Sequence, residues 1–114
     1  MPKTTPHNEI HRLRRQAGLS QDELAFLLGI EAGSRVSRHE TGAREPQLGA
    51  VLGYELVFRR GAHEIFSGDA HQVDSIIRRN ATTLRSKLKG EEPSPLQARK
   101  LAFLDSLLGA PGHD

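Results

Sequence analysis

Apolar residues recur along this chain at intervals of three and four, the spacing that gathers side chains on one face of an α-helix. No stretch alternates apolar and polar residues for long enough to make a half-buried strand. Ile10, Leu13 and Ala17 line one face of a first helix, which Thr5 and Pro6 are placed to start and Gly18 to stop. Ser20-Gln21-Asp22-Glu23 reads as a capping box opening a second helix, with Leu24, Ala25 and Leu28 inward and Gly29 at its end. A third helix is expected from Gly33 to Thr41 with Gly42 as its stop, a fourth over about 46–58, and a short fifth over about 62–66.

Gly68 is expected to separate this part from a long helix over about 69–89. There Ala70, Val73, Ile77, Ala81, Leu84 and Leu88 form one continuous apolar stripe. Gly90-Glu91-Glu92-Pro93 ends that helix. A last one opens with Ser94 as cap, Pro95 at its first position and Gln97 three residues after the cap. Leu101, Leu104 and Leu108 are its apolar residues, and Gly109 and Pro111 close it. The expected fold is therefore all-α, with five short helices over 1–68 and a two-helix hairpin over 69–114. The stripe packs against the last helix, and a hairpin with so small a core is expected to dimerise as well.

Composition narrows the function classes. The chain of 114 residues contains no cysteine, which excludes disulfides and thiolate metal sites. Its longest apolar runs, such as 24–28, are too short to span a membrane, and residues 1–6 lack the apolar segment of a signal peptide. A cytoplasmic location is expected. A net charge of +2 is a weak pointer to nucleic acid, but the basic residues cluster. Arg12, Arg14 and Arg15 form one group and Arg35, Arg38 and Arg44 a second. Arg78, Arg79, Arg85, Lys87 and Lys89 form a third, with Asp74 the only acid from Ala70 to Lys89.

Between Gly18 and Gly42, two short helices flank a tight glycine turn, as a helix-turn-helix requires. At about 100° per residue, Val36 and Glu40 share one side of the third helix. Ser34, Arg38 and Thr41 point the opposite way, Ser37 flanks them, and Arg35 lies on another side. Arginine can bond two acceptors of guanine at once, and serine can donate or accept at several base edges. Arg14 borders the inner face of the first helix and Glu40 that of the third. Buried charges are costly unless paired, so an Arg14–Glu40 ion pair is expected to join the two helices.

With these residues in view, the segment from about Ile10 to Phe66 resembles the Cro/CI phage-repressor family of helix-turn-helix proteins, often called the Xre family. The resemblance rests on Arg14, Gly18-Leu19-Ser20-Gln21, Leu24-Ala25, Gly29-Ile30, Val36-Ser37, Glu40, Gly42 and Pro46. It implies a compact five-helix, lambda-repressor-like domain that binds double-stranded operator DNA, usually as a homodimer. It also implies a phosphate contact for Gln21, base contacts for Gly33, Ser34 and Arg38, phosphate contacts for Thr41 and Arg44, and a counterpart of the Arg14–Glu40 pair.

The chain departs from the family at three places. Seven positions separate Gly29 from Val36 where the family usually has six, which shifts Arg35 toward the groove. His39 stands where an apolar or aromatic residue is common. Gly49 and Gly53 lie inside the fourth helix, each costing about 1 kcal/mol relative to alanine.

Other constellations carry less. His7 and His11 are four apart, but no third metal ligand accompanies them. His63 and His71 read as surface residues or local caps. Asn80-Ala81-Thr82 matches a glycosylation acceptor in a chain not expected to be secreted. Glu91 and Glu92 are adjacent in a linker rather than posed as an acid–base pair. No nucleophile–base set or phosphate-cradling loop is present, and no cofactor is implied. The expected function is sequence-specific transcriptional regulation. The alternatives are an adaptor or an antitoxin that holds a protein partner on the same scaffold.

Overall fold

The computed structural model describes residues 8–109. These residues form seven helices and no strand. They divide into one compact unit up to Ala70 and a second from His71. None of the helices is long and apolar enough to cross a membrane.

The first unit holds α1 (Ile10–Ala17), α2 (Gln21–Leu28), α3 (Gly33–Thr41), α4 (Leu48–Phe58) and α5 (Ala62–Ile65). Glycine sets three of the helix ends. Gly18, Gly29 and Gly42 all take the left-handed conformation that side chains disfavour, so α1, α2 and α3 stop where expected. Ser20 and Glu23 form the reciprocal capping box at the start of α2.

Two starts differ from expectation. α1 begins at Ile10 rather than at Pro6, because the Asn8 carboxamide oxygen accepts the Ile10 N–H at 3.0 Å and the Glu9 N–H is taken by the Ile65 carbonyl at 2.8 Å. Thr5 and Pro6 themselves lie outside the described residues. α4 begins at Leu48, with Gln47 extended as its cap, so Pro46 precedes the helix.

The core of this unit draws on every helix: Ile10 and Leu13, Leu24 and Ala25, Val36, Tyr54, Ile65, and Phe66 just beyond α5. Tyr54 organises the aromatic part. It stacks on Phe58 with centroids 6.3 Å apart and meets Phe66 and His39 edge-on at 6.0 and 5.8 Å. The departure at position 39 is thereby explained. His39 is buried, its Nδ1 hydrogen-bonded to the Tyr54 hydroxyl at 2.8 Å, and its carbonyl accepts the Asn8 amide at 2.8 Å. The two α4 glycines separate in role. A Cβ on Gly53 would stand 2.6 Å from a Leu28 methyl, so glycine permits the approach of α4 to α2, whereas Gly49 has open space around it.

The second unit is a helical hairpin made by α6 (Ser67–Lys89, from His71 onward) and α7 (Pro95–Gly109). Gly68 sits in the first turn of α6, not between two helices, and the division between the units falls two residues beyond it. The break between α5 and α6 falls at Phe66, whose ring is buried in the core while its carbonyl accepts the Ala70 N–H. The expected stripe on α6 is buried only at Ala81 and Leu88, which meet Leu104 of α7. Val73, Ile77 and Leu84 stay 44–54% exposed. Polar contacts carry much of the hairpin. Arg78 donates to the Leu108 carbonyl and to Asp74, each at 3.0 Å, Arg85 pairs with Asp105, and the Gln97 amide donates to the Leu88 carbonyl at 2.7 Å. Ser94 caps α7 through the Gln97 N–H. Pro111 lies outside the described residues.

Candidate nucleic-acid interface

The connection between α2 and α3 is four residues, Gly29 to Ala32. Ala32 stands at the N-cap of α3 and has no side chain able to cap it. Asp22 does that work from α2: its carboxylate accepts the Gly33 N–H at 3.0 Å. The same carboxylate lies in the first turn of α2, so it faces the positive ends of two helix dipoles. The approach is close. A Cβ on Gly33 would stand 2.4 Å from the Asp22 carboxylate and within 2.9 Å of α2 backbone atoms, so only glycine fits there.

The inner side of α3 is held by charge as well as by Val36. Arg14 Nε donates to Glu40 Oε2 at 2.6 Å, and both side chains are buried. Arg14 also donates to the Leu19 carbonyl at 2.9 Å. Glu40 Oε1 accepts the Gln21 amide at 2.9 Å and lies 3.4 Å from His11 Nδ1. One carboxylate on α3 thus receives partners from both α1 and α2. Burial alone would raise the Glu40 pKa. The hydrogen bonds from Arg14 and Gln21, the Arg14 charge and the His11 contact outweigh it and hold the carboxyl below its ordinary value. His7, the other imidazole considered for a metal, lies outside the described residues. Among those described, no group of three or more His, Cys, Asp or Glu side chains is placed to hold a metal ion.

With Val36, His39 and Glu40 turned inward, the opposite side of α3 is open. Ser34, Arg38 and Thr41 are exposed and Ser37 is half-buried. Ser34, Ser37 and Arg38 border a shallow groove with Ser20, Gln21 and Asp22 of the adjoining helix start, and Gly33 is buried at its floor. Gly33 therefore spaces the two helices and brings no side chain to the surface. Gln21 spends one amide contact on Glu40 and borders the same groove as Ser34 and Ser37. The Thr41 hydroxyl donates to the Arg38 carbonyl at 3.3 Å and accepts the Ala43 N–H at 3.4 Å.

Arg35 and Arg44 fall on a different side. They border a second depression with His39, Glu45, Leu28 and Ile30. Burial, with the charges of Arg35 and Arg44 beside it, holds the His39 imidazole below its ordinary value, so the buried ring is neutral near pH 7. Burial, with the Glu40 charge nearby, raises the Tyr54 hydroxyl.

The sequence reading missed Asp22 as a tie between helices, and with it Asn8, His39 and Tyr54. Asp22 was visible only as a member of the capping box. Its longer-range role had one available signal, an α3 start with no capping side chain. The arrangement offers a rigid helix presenting hydroxyls, an amide and a guanidinium along one edge, suited to a polar surface with acceptors in fixed array. No family model, curated protein or solved structure matches the chain.

Proposed function

We propose that the chain is a sequence-specific, double-stranded DNA-binding regulator of the Cro/CI (Xre) type. In this reading α1–α5 are a lambda-repressor-like domain, α2 and α3 its helix-turn-helix, and α6–α7 a two-helix extension. α3 enters the major groove. The observation that carries the reading is the division of α3. Its inner face is locked to α1 and α2 through Val36 and Glu40, and its outer face is left exposed with Ser34 and Arg38 at the front. Arg38 reads guanine, with Ser34 and Ser37 beside it. Gln21, Thr41 and Arg44 meet phosphates, and Arg35 approaches the backbone from the flank. The chain binds a partly symmetric site as a homodimer.

Selection of duplexes from a random pool is expected to yield one enriched two-fold motif, with affinity falling steeply as salt rises. Arg38→Ala is expected to narrow the ratio of specific to random binding by about tenfold or more, the worth of one bidentate base contact. An unchanged ratio removes Arg38 as a reader.

A second reading, an adaptor for a protein partner, draws support from Phe26 and Leu27, which are 83% and 56% exposed on α2. Weak, salt-insensitive DNA binding would favour it.

A further inference from the structure

The depression that Arg35 and Arg44 border lies between the end of α2, one side of α3 and the start of α4, and has a volume of about 220 Å³. Pockets for drug-sized ligands run to about 300–1,000 Å³, so this one suits a smaller molecule. Its lining is of two kinds. Leu28, Ile30 and Ala50 are apolar and pack on the core. Arg35 and Arg44 bring two guanidinium groups, both close enough for their charges to act on the His39 ring. Glu45 stands beside them, which leaves one positive charge in excess.

His39 adds a buried donor. The residue is only 3% exposed and its Nδ1 is bonded to the Tyr54 hydroxyl, but its Nε2 has no hydrogen-bond partner among the described residues. Every enclosed side-chain polar atom among those residues does have one, so the Nε2 edge is open, and the depression is what it opens onto. The Tyr54 hydroxyl hydrogen has no other acceptor among the described residues. It therefore donates to Nδ1, and the proton of the neutral ring sits on Nε2.

The start of α4 supplies further donors. Gln47 provides no side-chain cap, and the Val51 N–H is the first to be taken by a carbonyl, that of Gln47. The N–H groups of residues 48–50 have no acceptor within the helix. Gly49 lines the depression with bare backbone, where a Cβ would meet nothing within 4 Å. Donors of this kind suit an anion, and the apolar lining suits a hydrocarbon body. Phosphate alone would leave Leu28, Ile30 and Ala50 uncovered, and a dianion would exceed the one charge in excess.

We infer that this depression binds a small monocarboxylic acid as its carboxylate. Arg44, Arg35 and the His39 Nε2–H hold the head group, and the short apolar body lies on Leu28, Ile30 and Ala50. The site stands apart from the DNA reading, since it fills without DNA and its test contains none. Under that reading the acid and the DNA backbone compete for Arg35 and Arg44.

Titration of the isotope-labelled full chain with benzoate and with isobutyrate, followed by nuclear magnetic resonance, provides the test. At least one acid is expected to saturate with a Kd of about 1 mM or tighter, a strength within reach of some nine heavy atoms. The shifts are expected at the His39 ring and at the amides of residues 49 and 50. The matching neutral amide, and inorganic phosphate, are each expected to bind about tenfold more weakly or worse. Arg44→Gln is expected to weaken the acid about tenfold. Arg44 is exposed, so an unchanged helical circular dichroism spectrum accompanies that loss. No saturating shift with either acid at tens of millimolar overturns the inference, as do shifts confined to another part of the surface. Phosphate binding as tightly as the acid overturns the role of the apolar lining. An amide that binds as well, or an acid indifferent to Arg44→Gln, overturns the placement of the carboxylate.

Discussion

The two units solve the same problem, an all-helical core in a short chain, by different means. The first buries Ile10, Leu13, Leu24, Ala25, Val36, Tyr54, Ile65 and Phe66 and threads two polar clusters through them, Arg14–Glu40–Gln21 and Asn8–His39–Tyr54. Among the described residues no buried side-chain polar atom lacks a partner. The hairpin buries Ala81, Leu88 and Leu104 and relies on arginine and glutamine contacts at its surface. Surface pairs contribute little, about 0–1 kcal/mol each, whereas buried networks fix geometry and are costly to break. The first unit is thus the rigid one, and its rigidity is concentrated behind α3. The difference teaches that polar residues can specify an interior as firmly as apolar ones when every group is satisfied.

Three experiments would break or sharpen that contrast. The largest effect is expected from Glu40→Ala, which leaves the Arg14 guanidinium buried without its carboxylate. A loss of about 3–5 kcal/mol is expected from the first unit, with faster amide exchange across α1–α3 and unchanged exchange in α7. Equal loosening of both units would show that they unfold as one. Leu104→Ala removes one of three buried hairpin residues. It is expected to cost about 2 kcal/mol, at the lower end for leucine truncation because so shallow a core can relax around the gap. Exchange should then quicken in α6–α7 alone, and spread into α1–α5 would blur the division.

The smallest effect is expected from acid. His39 is held below its ordinary value of 6.5, so the unfolded chain binds that proton first, and stability present above this value is lost as pH falls through it. Glu40 acts in the same direction lower down. Its contribution is complete above its ordinary value of 4.5 and is lost as pH falls below it. Melting of the first unit is therefore expected to soften in two steps, the upper of which His39→Gln should remove. A single step at low pH in the unaltered chain would argue against a neutral, buried His39.

Much of this was legible in the sequence, for identifiable reasons. Helix ends are local events, and Gly18, Gly29, Gly42 and the Ser20–Glu23 box marked them. Arg14 and Glu40 could be paired because a charge bordering an apolar face has few places to go. The outer row Ser34–Arg38–Thr41 followed from helical angles once Val36 was set inward. What escaped was decided by distant residues. Asn8 starts α1 beside Glu9, whose N–H goes to the Ile65 carbonyl 56 positions further along the sequence. His39 is buried because Tyr54, on another helix, receives its imidazole. Gly33 was expected to face bases only because the resemblance implies it, and the fold instead brings Asp22 over it. The α6 stripe misled for a different reason: periodicity gives a face, but how much of that face is covered depends on the partner helix.

Glu40 also bears on the order in which the first unit assembles. Its carboxylate lies on α3 and takes its hydrogen bonds from Arg14 on α1 and Gln21 on α2. A partly formed unit with α2 and α3 joined but α1 loose would enclose that charge with the Gln21 amide and without the guanidinium. Such a species is disfavoured, as is one in which α1 packs first and buries Arg14 alone. Each partial arrangement encloses one of the two charges without its partner, so the network favours closing α1, α2 and α3 together.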